Sequence, residues 1–272
     1  MNHNSMARRL LLTLCVLISA QLPSNAQPNL QKEDLCPNYK EIDPLLECLT
    51  VESYAGLAEV IENAPSGSEI NLCPFFIRKV TSVKPITVNT GVRVHCARTT
   101  ADQFCTIIGF GNHLVIDTSE DTLWQGFSFR GSNDHAVYIT GEVENAELAT
   151  HNFCQTSFMG NVRTKDTRGG ALMLERSAGT VNVVECFFQE NFSKNFGAAI
   201  YSRAKQLNII FSLFIKNESN GYGPAVYTAS DGGLMIKTSD FRGNKGREDY
   251  DIVFNPGKYY SKLSQLNALR VD

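Results

Sequence analysis

The chain has 272 residues and a formal net charge of −3, with 25 basic and 28 acidic side chains. This balance argues against a nucleic-acid partner, because such a partner needs a basic field. The length accommodates one or two globular domains, or one elongated solenoid.

Residues 1–26 are predicted to be a secretory signal peptide. Arg8 and Arg9 precede the apolar run 10–20, and Ser24-Asn25-Ala26 provides small residues for cleavage. The run is too short to span a bilayer, and no later stretch is apolar enough to do so. We therefore expect a secreted, extracellular protein with no membrane span in the mature chain.

Residues 27–67 are predicted to form an N-terminal segment that ends in a short capping helix. Apolar residues recur at helical spacing over 50–63, Thr50 and Ser53 offer N-cap hydroxyls, and Pro65-Ser66-Gly67 ends the run. A helix at this place would cover the apolar end of a first coil and its unpaired strand edges.

Residues 68–256 are predicted to form a solenoid. A four-residue unit recurs five times, opening on a Phe and closing on Ser or Asn. The units begin at Phe129, Phe158, Phe188, Phe214 and Phe241 and end at Ser132, Asn161, Asn191, Asn217 and Asn244. The phenylalanines are 29, 30, 26 and 27 residues apart, and a period in this range is typical of solenoids.

Each repeat holds about three short strands, because apolar residues alternate at period two between turn residues. A repeat of this kind cannot bury its apolar face alone, so successive coils stack. Stacking places equivalent residues above one another at about 4.8 Å. The sequence therefore predicts a Phe column, an Asn column and a small-residue column. The last contains Phe127, Thr156, Cys186, Ser212 and Ser239.

These units resemble the F-x-x-N and G-G-A-[ILV] repeats of polymorphic outer-membrane adhesins and, more broadly, the pectin-lyase-like superfamily. The second motif is matched by Gly169-Gly170-Ala171-Leu172, Gly197-Ala198-Ala199-Ile200 and Gly223-Pro224-Ala225-Val226. The resemblance spans about half the chain and implies an all-β, right-handed parallel β-helix. It is specific for architecture and carries little about activity, because the shared residues face the core and the turns. Residues 257–272 would follow as a C-terminal cap, such as a short helix, or as a tail.

Export permits disulfide bonds between the cysteines of the mature chain. Cys96 and Cys105 flank a polar loop and are the first pair we expect. Cys36, Cys48 and Cys73 cluster near the capping helix, and there we slightly favour a bridge between Cys36 and Cys48.

Three further cysteines complete the set. Cys15 falls in the signal peptide, which leaves an odd number of cysteines in the mature chain. Cys186 belongs to the small-residue column and is predicted to be a buried thiol, whereas Cys154 has no predicted role. No C-x-x-C with paired histidines is present, so we expect neither zinc nor another cofactor.

Two N-glycosylation sequons start at Asn191 and Asn217. Both asparagines also belong to the Asn column. If this column faces inward, their amides are engaged and a glycan has no room.

A longer, charged turn at 161–171, after the second of the five units, forms the candidate site with residues of the preceding coil, because insertions in solenoids commonly carry function. The residues assigned are Lys165 or His135 as a base, and Arg163, Arg168, Asp134 and Arg130 as substrate-binding groups. A solvated surface loop is the alternative interpretation. No galacturonase or mannuronan-epimerase signature is present, and the aspartates share no register that suits calcium.

Three functional hypotheses follow. The first is binding of acidic polysaccharide or cell-surface glycans, with cleavage or modification as an extension of it. An enzyme of this kind would be a lyase, an epimerase or a glycosidase. The second is a non-catalytic cell-surface, adhesion or extracellular-matrix protein. The third, an ice or mineral binder, needs a flat Thr-rich or Asp-rich face that the sequence lacks.

Overall fold

The computed structural model describes Cys36 and residues 48–97, 103–164, 168–229, 232–254, 258–260 and 266–271. These residues lie in one compact unit, 32–272. They form one α-helix, α1 (Tyr54–Glu62), a 3-10 turn (Ala146–Leu148) and a series of short strands. The strands are β1 (Ser68–Leu72), β2 (Phe75–Lys79), β3 (Ile86–Val88), β4 (Val92–Cys96), β5 (Cys105–Gly109), β6 (Leu114–Ile116), β7 (Thr122–Gln125), β8 (Phe127–Arg130), β9 (Val137–Ile139), β10 (Thr150–Cys154), β11 (Ser157–Met159), β12 (Val162–Arg163), β13 (Leu172–Leu174), β14 (Thr180–Val184), β15 (Phe187–Gln189), β16 (Phe192–Ser193), β17 (Ile200–Ser202), β18 (Gln206–Ile210), β19 (Leu213–Ile215), β20 (Glu218–Ser219), β21 (Val226–Thr228), β22 (Gly233–Arg242), β23 (Ile252–Phe254), β24 (Lys258–Tyr260) and β25 (Leu266–Val271).

The strands wind into about seven coils, each of which contributes one strand to each of three sheets. Sheet A contains β1, β4, β7, β10, β14, β18 and the first half of β22. Sheet B contains β2, β5, β8, β11, β15, β19 and the second half of β22, and sheet C contains β3, β6, β9, β13, β17, β21 and β23. A small sheet D, of β12, β16 and β20, lies between B and C in the chain. Pairing between coils is parallel, so the predicted all-β parallel β-helix is confirmed.

The predicted Phe column forms the centre of the core. The rings of Phe158, Phe188, Phe214 and Phe241 stack with centroids 4.7, 4.8 and 4.8 Å apart, and successive rings are nearly parallel. Phe129 extends the column at 5.5 Å. These spacings match the distance between parallel strands, so the repeat period sets the stacking directly. All five rings are buried.

The small-residue column lies at the corner between sheets A and B. The residue before it adopts a left-handed backbone conformation, with φ between 48° and 52°, in four successive coils. These residues are Gln155, Glu185, Phe211 and Thr238. The next residue stabilises the turn by donating its hydroxyl or thiol hydrogen to a nearby carbonyl. Ser212 Oγ, for example, donates to Ile210 O at 3.0 Å. A short side chain with a hydroxyl or thiol therefore stabilises this corner in these four coils.

The Asn column forms a buried hydrogen-bonded ladder at the turn after sheet B. The amide nitrogen of Asn191 donates to Phe158 O in the preceding coil at 3.0 Å and to Asn217 Oδ1 in the following coil at 2.8 Å. Asn161 and Asn217 repeat this pattern. Each amide oxygen also accepts the backbone N–H of the preceding asparagine. The ladder thus satisfies turn groups that water cannot reach.

The predicted capping helix is present as α1. Ser53 is its N-cap and accepts from Gly56 N at 3.1 Å. Leu57 and Ile61 turn their side chains onto the end of the core. The Tyr54 hydroxyl accepts from Ile86 N at 2.8 Å and donates to His113 O at 2.6 Å. The helix therefore covers both the apolar core and unpaired donors of edge strand β3.

The C-terminal end is closed by strands, in place of the short helix considered above. β25 pairs antiparallel with β22, and β24 pairs antiparallel with β23. Residues 261–265 between them lie outside the described residues. An antiparallel strand pairs its backbone with the exposed N–H and C=O groups of the last coil. Such pairing leaves no periodic pattern of apolar residues, so the sequence did not reveal it.

Disulfide pairing matches the prediction in part. The bridge between Cys96 and Cys105 is confirmed. The favoured bridge between Cys36 and Cys48 is wrong, because Cys48 pairs with Cys73 and Cys36 pairs with Cys154.

The pairing of Cys36 with Cys154 has a physical cause in the fold. Cys154 lies in a buried apolar cluster with Cys36, Leu123, Val184 and Ile210, apart from the main core.

Cys186 is a buried thiol, as predicted, and its sulfur lies 3.2 Å from Phe153 O.

Candidate functional site

A cleft of about 470 Å³ opens beside sheet C, where the turns before the strands meet its outer face. Residues from the second, third and fourth coils line it. They are Asn112, Asp134, His135, Tyr138, Arg163, Arg168, Met173 and Glu175. Four of the predicted site residues therefore meet here, since Asp134, His135, Arg163 and Arg168 share one cleft.

A network of turn hydrogen bonds holds Asp134 and His135 in place. The Ser132 hydroxyl donates to Gly111 O at 2.8 Å and accepts from Asp134 N at 3.1 Å. The Asp134 carboxylate accepts from His135 N at 2.9 Å. Asn112 Oδ1 lies 3.2 Å from the same His135 N–H. Asp134 and His135, which line the cleft, are thus held in place by hydrogen bonds from short polar residues of nearby turns.

The ring of His135 packs against the next coil. Its Nδ1 lies 3.1 Å from Gly169 O, within hydrogen-bond distance. Gly169 has φ of +58°, and a Cβ there would lie 3.2 Å from Tyr201 Cβ and 3.4 Å from His135 Nδ1. Only glycine combines this backbone conformation with so close an approach. Gly169 thereby allows the imidazole of His135 and the Cβ of Tyr201 to approach the same stretch of backbone.

Most charges in the cleft are paired. Arg163 forms an ion pair with Asp134, and its own side chain is 12% exposed. The carboxylate of Glu175 accepts from Arg203 of the next coil at 3.2 Å. His135 Nε2 lies 3.8 Å from the Asp134 carboxylate. Arg163, Asp134 and Glu175 are therefore neutralised by partners from neighbouring coils.

Arg168 differs from these residues because it is exposed. Its guanidinium carbon lies 5.8 Å from the centre of the Tyr201 ring, at cation–π distance. Burial raises the pKa of the Tyr201 hydroxyl, and Arg168 partly offsets that shift. Arg168 therefore places a positive charge at the mouth of the cleft on an aromatic support.

Tyr138 supplies a hydroxyl to the cleft. Burial is the main cause that raises the pKa of the Tyr138 hydroxyl. Glu175, Glu142 and Asp117 raise this pKa further, whereas Arg168 lowers it. The hydroxyl therefore keeps its proton at neutral pH. It can donate a hydrogen bond to a bound ligand and is poorly suited to act as a base.

One predicted site residue, Arg130, does not line this cleft, and another, Lys165, cannot be placed relative to it. Arg130 lies on the outer face of sheet B, where its Nε donates to Ser128 Oγ at 2.8 Å. Lys165 lies outside the described residues, so its predicted role as a base stays a prediction.

Sequence reasoning missed the aromatic residues of the site. Tyr138 and Tyr201 each stand third in an apolar run, and the runs are Ala136-Val137-Tyr138 and Ala199-Ile200-Tyr201. The middle residue of each run is buried in the core. Period-two alternation would have placed both tyrosines on the outer face of sheet C.

No family model, curated protein or solved structure matches this chain. The case for a function therefore depends on the geometry of the site.

A second and larger cleft, of about 620 Å³, lies at the start of sheet A. Its main acidic groups already serve the fold. Glu120 accepts from Gly91 N at 2.7 Å and from the Ser66 hydroxyl, which holds the pKa of the Glu120 carboxyl below its usual range. Asp121 accepts from Thr150 N at 2.7 Å. We therefore place the candidate site at sheet C, where four of the sequence-predicted residues line one cleft.

Within the described part of the chain, no three His, Cys, Asp or Glu side chains are grouped as metal ligands would be. Nor does any described helix have the length and apolarity needed to cross a membrane.

Proposed function

We propose that the protein binds acidic polysaccharide in the cleft beside sheet C. The observation that carries this proposal is the position of Arg168, which is exposed at the cleft mouth and supported by the Tyr201 ring. A guanidinium matches the planar carboxylate of a uronic acid by two parallel hydrogen bonds. Arg168 is thus the group that would select an acidic sugar.

The rest of the cleft suits a sugar ring. Tyr138 and Asn112 offer polar groups to hydroxyls, while the half-buried ring of Tyr138 offers apolar surface to a C–H face. Binding sites for small polar ligands combine mostly apolar walls with a few fixed polar groups. These groups come from rigid coils, so little ordering is needed on binding.

The paired charges favour binding over cleavage. Asp134 is neutralised by Arg163, and His135 contacts the carbonyl of Gly169. Both groups would have to be released to act as an acid or a base on a substrate. Binding without turnover also fits the second hypothesis, a non-catalytic surface or adhesion protein, since such a protein needs only to hold a glycan.

Export of the protein is part of the same proposal. The structure holds three disulfide bonds, and such bonds persist in oxidising compartments such as the extracellular space. We retain residues 1–26 as the proposed signal peptide. The proposed relationship to the pectin-lyase-like superfamily is supported by the parallel coils alone.

A binding measurement with matched variants tests this function. Oligouronates and neutral oligosaccharides of equal length would be titrated into the protein by calorimetry at low and at physiological salt. We expect the oligouronate to bind and the neutral sugar not to. Arg168→Ala should weaken oligouronate binding by about 10-fold to 100-fold, as expected for one charge-assisted contact.

Arg242→Ala is the matched control. Arg242 is also exposed, but it pairs with Asp240 on the outer face of sheet B. Equal loss of binding in both variants, or equal binding of neutral and acidic sugars, would refute the proposal. A parallel screen for unsaturated or shortened products would reveal cleavage.

A further inference from the structure

An aromatic surface continues from the cleft along the solenoid axis. Phe196 and Tyr222 follow Arg168 at equivalent positions of the next two coils, as the bridges between these residues show. Their rings stack with centroids 6.2 Å apart. Tyr201 and Tyr227 form a second column beside them, in register on sheet C, with ring centroids 5.4 Å apart. We call these four residues the aromatic strip.

The two columns of the strip contact each other. The rings of Phe196 and Tyr227 lie 4.7 Å apart. Phe196, Tyr222 and Tyr227 are each half-buried, so part of each ring remains accessible, whereas Tyr201 is buried, with Arg168 at cation–π distance from its ring. The strip is thus a set of packed aromatic rings, of which three are accessible from outside.

A second arginine stands at the far end of the strip. The guanidinium carbon of Arg247 lies 6.0 Å from the centre of the Tyr222 ring. Arg247 is exposed, as is Arg168 at the near end. Arg168 belongs to the fourth coil and Arg247 to the seventh, so three strand spacings of about 4.8 Å separate the two coils. The strip therefore has a cation at each end.

We propose that the aromatic strip binds a linear anionic polysaccharide that lies along the solenoid axis. One acidic group contacts Arg168, a second contacts Arg247, and the sugar rings between them pack on the aromatic side chains. This inference rests on the proposed function and adds the orientation and minimum length of the ligand. A single acidic sugar is too short to reach both arginines.

The two arginines contribute unequally. Arg247 is followed by Glu248 and Asp249, both exposed, and their negative charges oppose an anionic ligand. Arg168 is preceded in the cleft by Arg163, whose charge is already neutralised by Asp134. Removal of Arg168 should therefore cost more affinity than removal of Arg247, and added salt should weaken both contacts.

Oligouronates of increasing length provide the test on the full mature chain. Affinity for the unmodified protein should rise with length until the oligomer spans both arginines and should then level off. Arg247→Ala should lower the affinity for the longest oligomer about 3-fold to 10-fold and remove most of the length dependence. Arg247→Lys, which keeps the charge, should recover part of the loss, and Arg242→Ala should behave as the unmodified protein.

The outcomes separate this inference from the function on which it rests. If the unmodified protein binds short and long oligouronates equally, or if Arg247→Ala binds the longest as tightly as the unmodified protein, the axial orientation is wrong while acidic-sugar binding stands. If no oligouronate binds at any length, the proposed function itself fails. A thermal melt of each variant shows whether any loss comes from unfolding, and Tyr222→Leu removes the ring without touching either charge.

Discussion

The interior columns and the turn before sheet C are built from the same coils but follow opposite rules. Inside, each coil repeats the residue of its neighbour, because a Phe stacks best on a Phe and each Asn completes the hydrogen bonds of the previous one. Outside, equivalent positions of this turn change from Arg168 to Phe196 to Tyr222, although Tyr201 and Tyr227 repeat on the strand that follows. Repetition inside therefore marks what holds the solenoid together, whereas the change along this turn places Arg168 at one end of the proposed binding surface.

The strongest test of this contrast uses two neighbouring phenylalanines of β15. Phe188 is buried in the core column, whereas Phe187 is half-buried on the outer face of sheet B. We expect Phe188→Ala to lower the free energy of unfolding by about 3–5 kcal/mol, since it leaves a cavity between two rings. Phe187→Ala should cost about 1 kcal/mol or less. Equal losses in urea unfolding would mean that the core column has no special weight.

The asparagine ladder gives the next test. Asn217→Ala removes hydrogen bonds to Phe188 O and Asn244 Oδ1 and leaves the Asn191 amide without its acceptor. Buried groups left without partners should lower the free energy of unfolding by about 2–4 kcal/mol. Asn220→Ala, at an exposed position of the next turn, is the control and should change it by less than about 0.5 kcal/mol. Similar values from chemical denaturation would contradict the role of the ladder.

Acid should destabilise the interior through two buried histidines. Burial lowers the pKa of His113 and of His151 to about 4, from an ordinary value of 6.5. The unfolded chain then binds more protons than the folded chain between these values, so stability is full above pH 6.5 and falls as the pH drops toward 4. Each histidine contributes up to about 3 kcal/mol to this loss.

His151→Val isolates one of these histidines. Position 151 is in register with Val181, so valine already occupies this column in the next coil. The variant should lose less stability than the unmodified protein between pH 7 and pH 4.5, as measured by urea unfolding at each pH. An unchanged pH dependence would show that His151 is not buried as a neutral ring.

The contrast also explains what the sequence revealed in advance. The Phe and Asn columns were predictable because stacking makes equivalent positions alike, and this repetition is visible without coordinates. The partner of Cys36 was not, because Cys154 lies in an apolar cluster outside the repeating core. The strands at the C-terminus were also missed, because an antiparallel edge strand satisfies backbone groups and leaves no periodic signal.

The candidate site was predictable in part for the same reason. Arg163 and Arg168 stood out because their turn is longer and more charged than its counterparts. Tyr138 and Tyr201 did not stand out, since an aromatic residue at the end of an apolar run is also what a core position would hold. Burial alternates along β9, where Tyr138 faces outward, whereas all three residues of β17 are buried.

The smallest expected effect is at the two N-glycosylation sequons, where we expect no glycan to be attached. This absence of a glycan tests whether the two asparagines are buried. Asn191 and Asn217 are buried, and the amide nitrogen of each already donates to two acceptors. A glycan would replace one of these hydrogens and place a sugar in a space that side chains fill. We therefore expect the folded protein, when expressed through a secretory pathway, to show no mass change on treatment with an N-glycosidase. A glycosylated form that still unfolds cooperatively would contradict the ladder, because an asparagine cannot both join the buried column and carry a surface sugar.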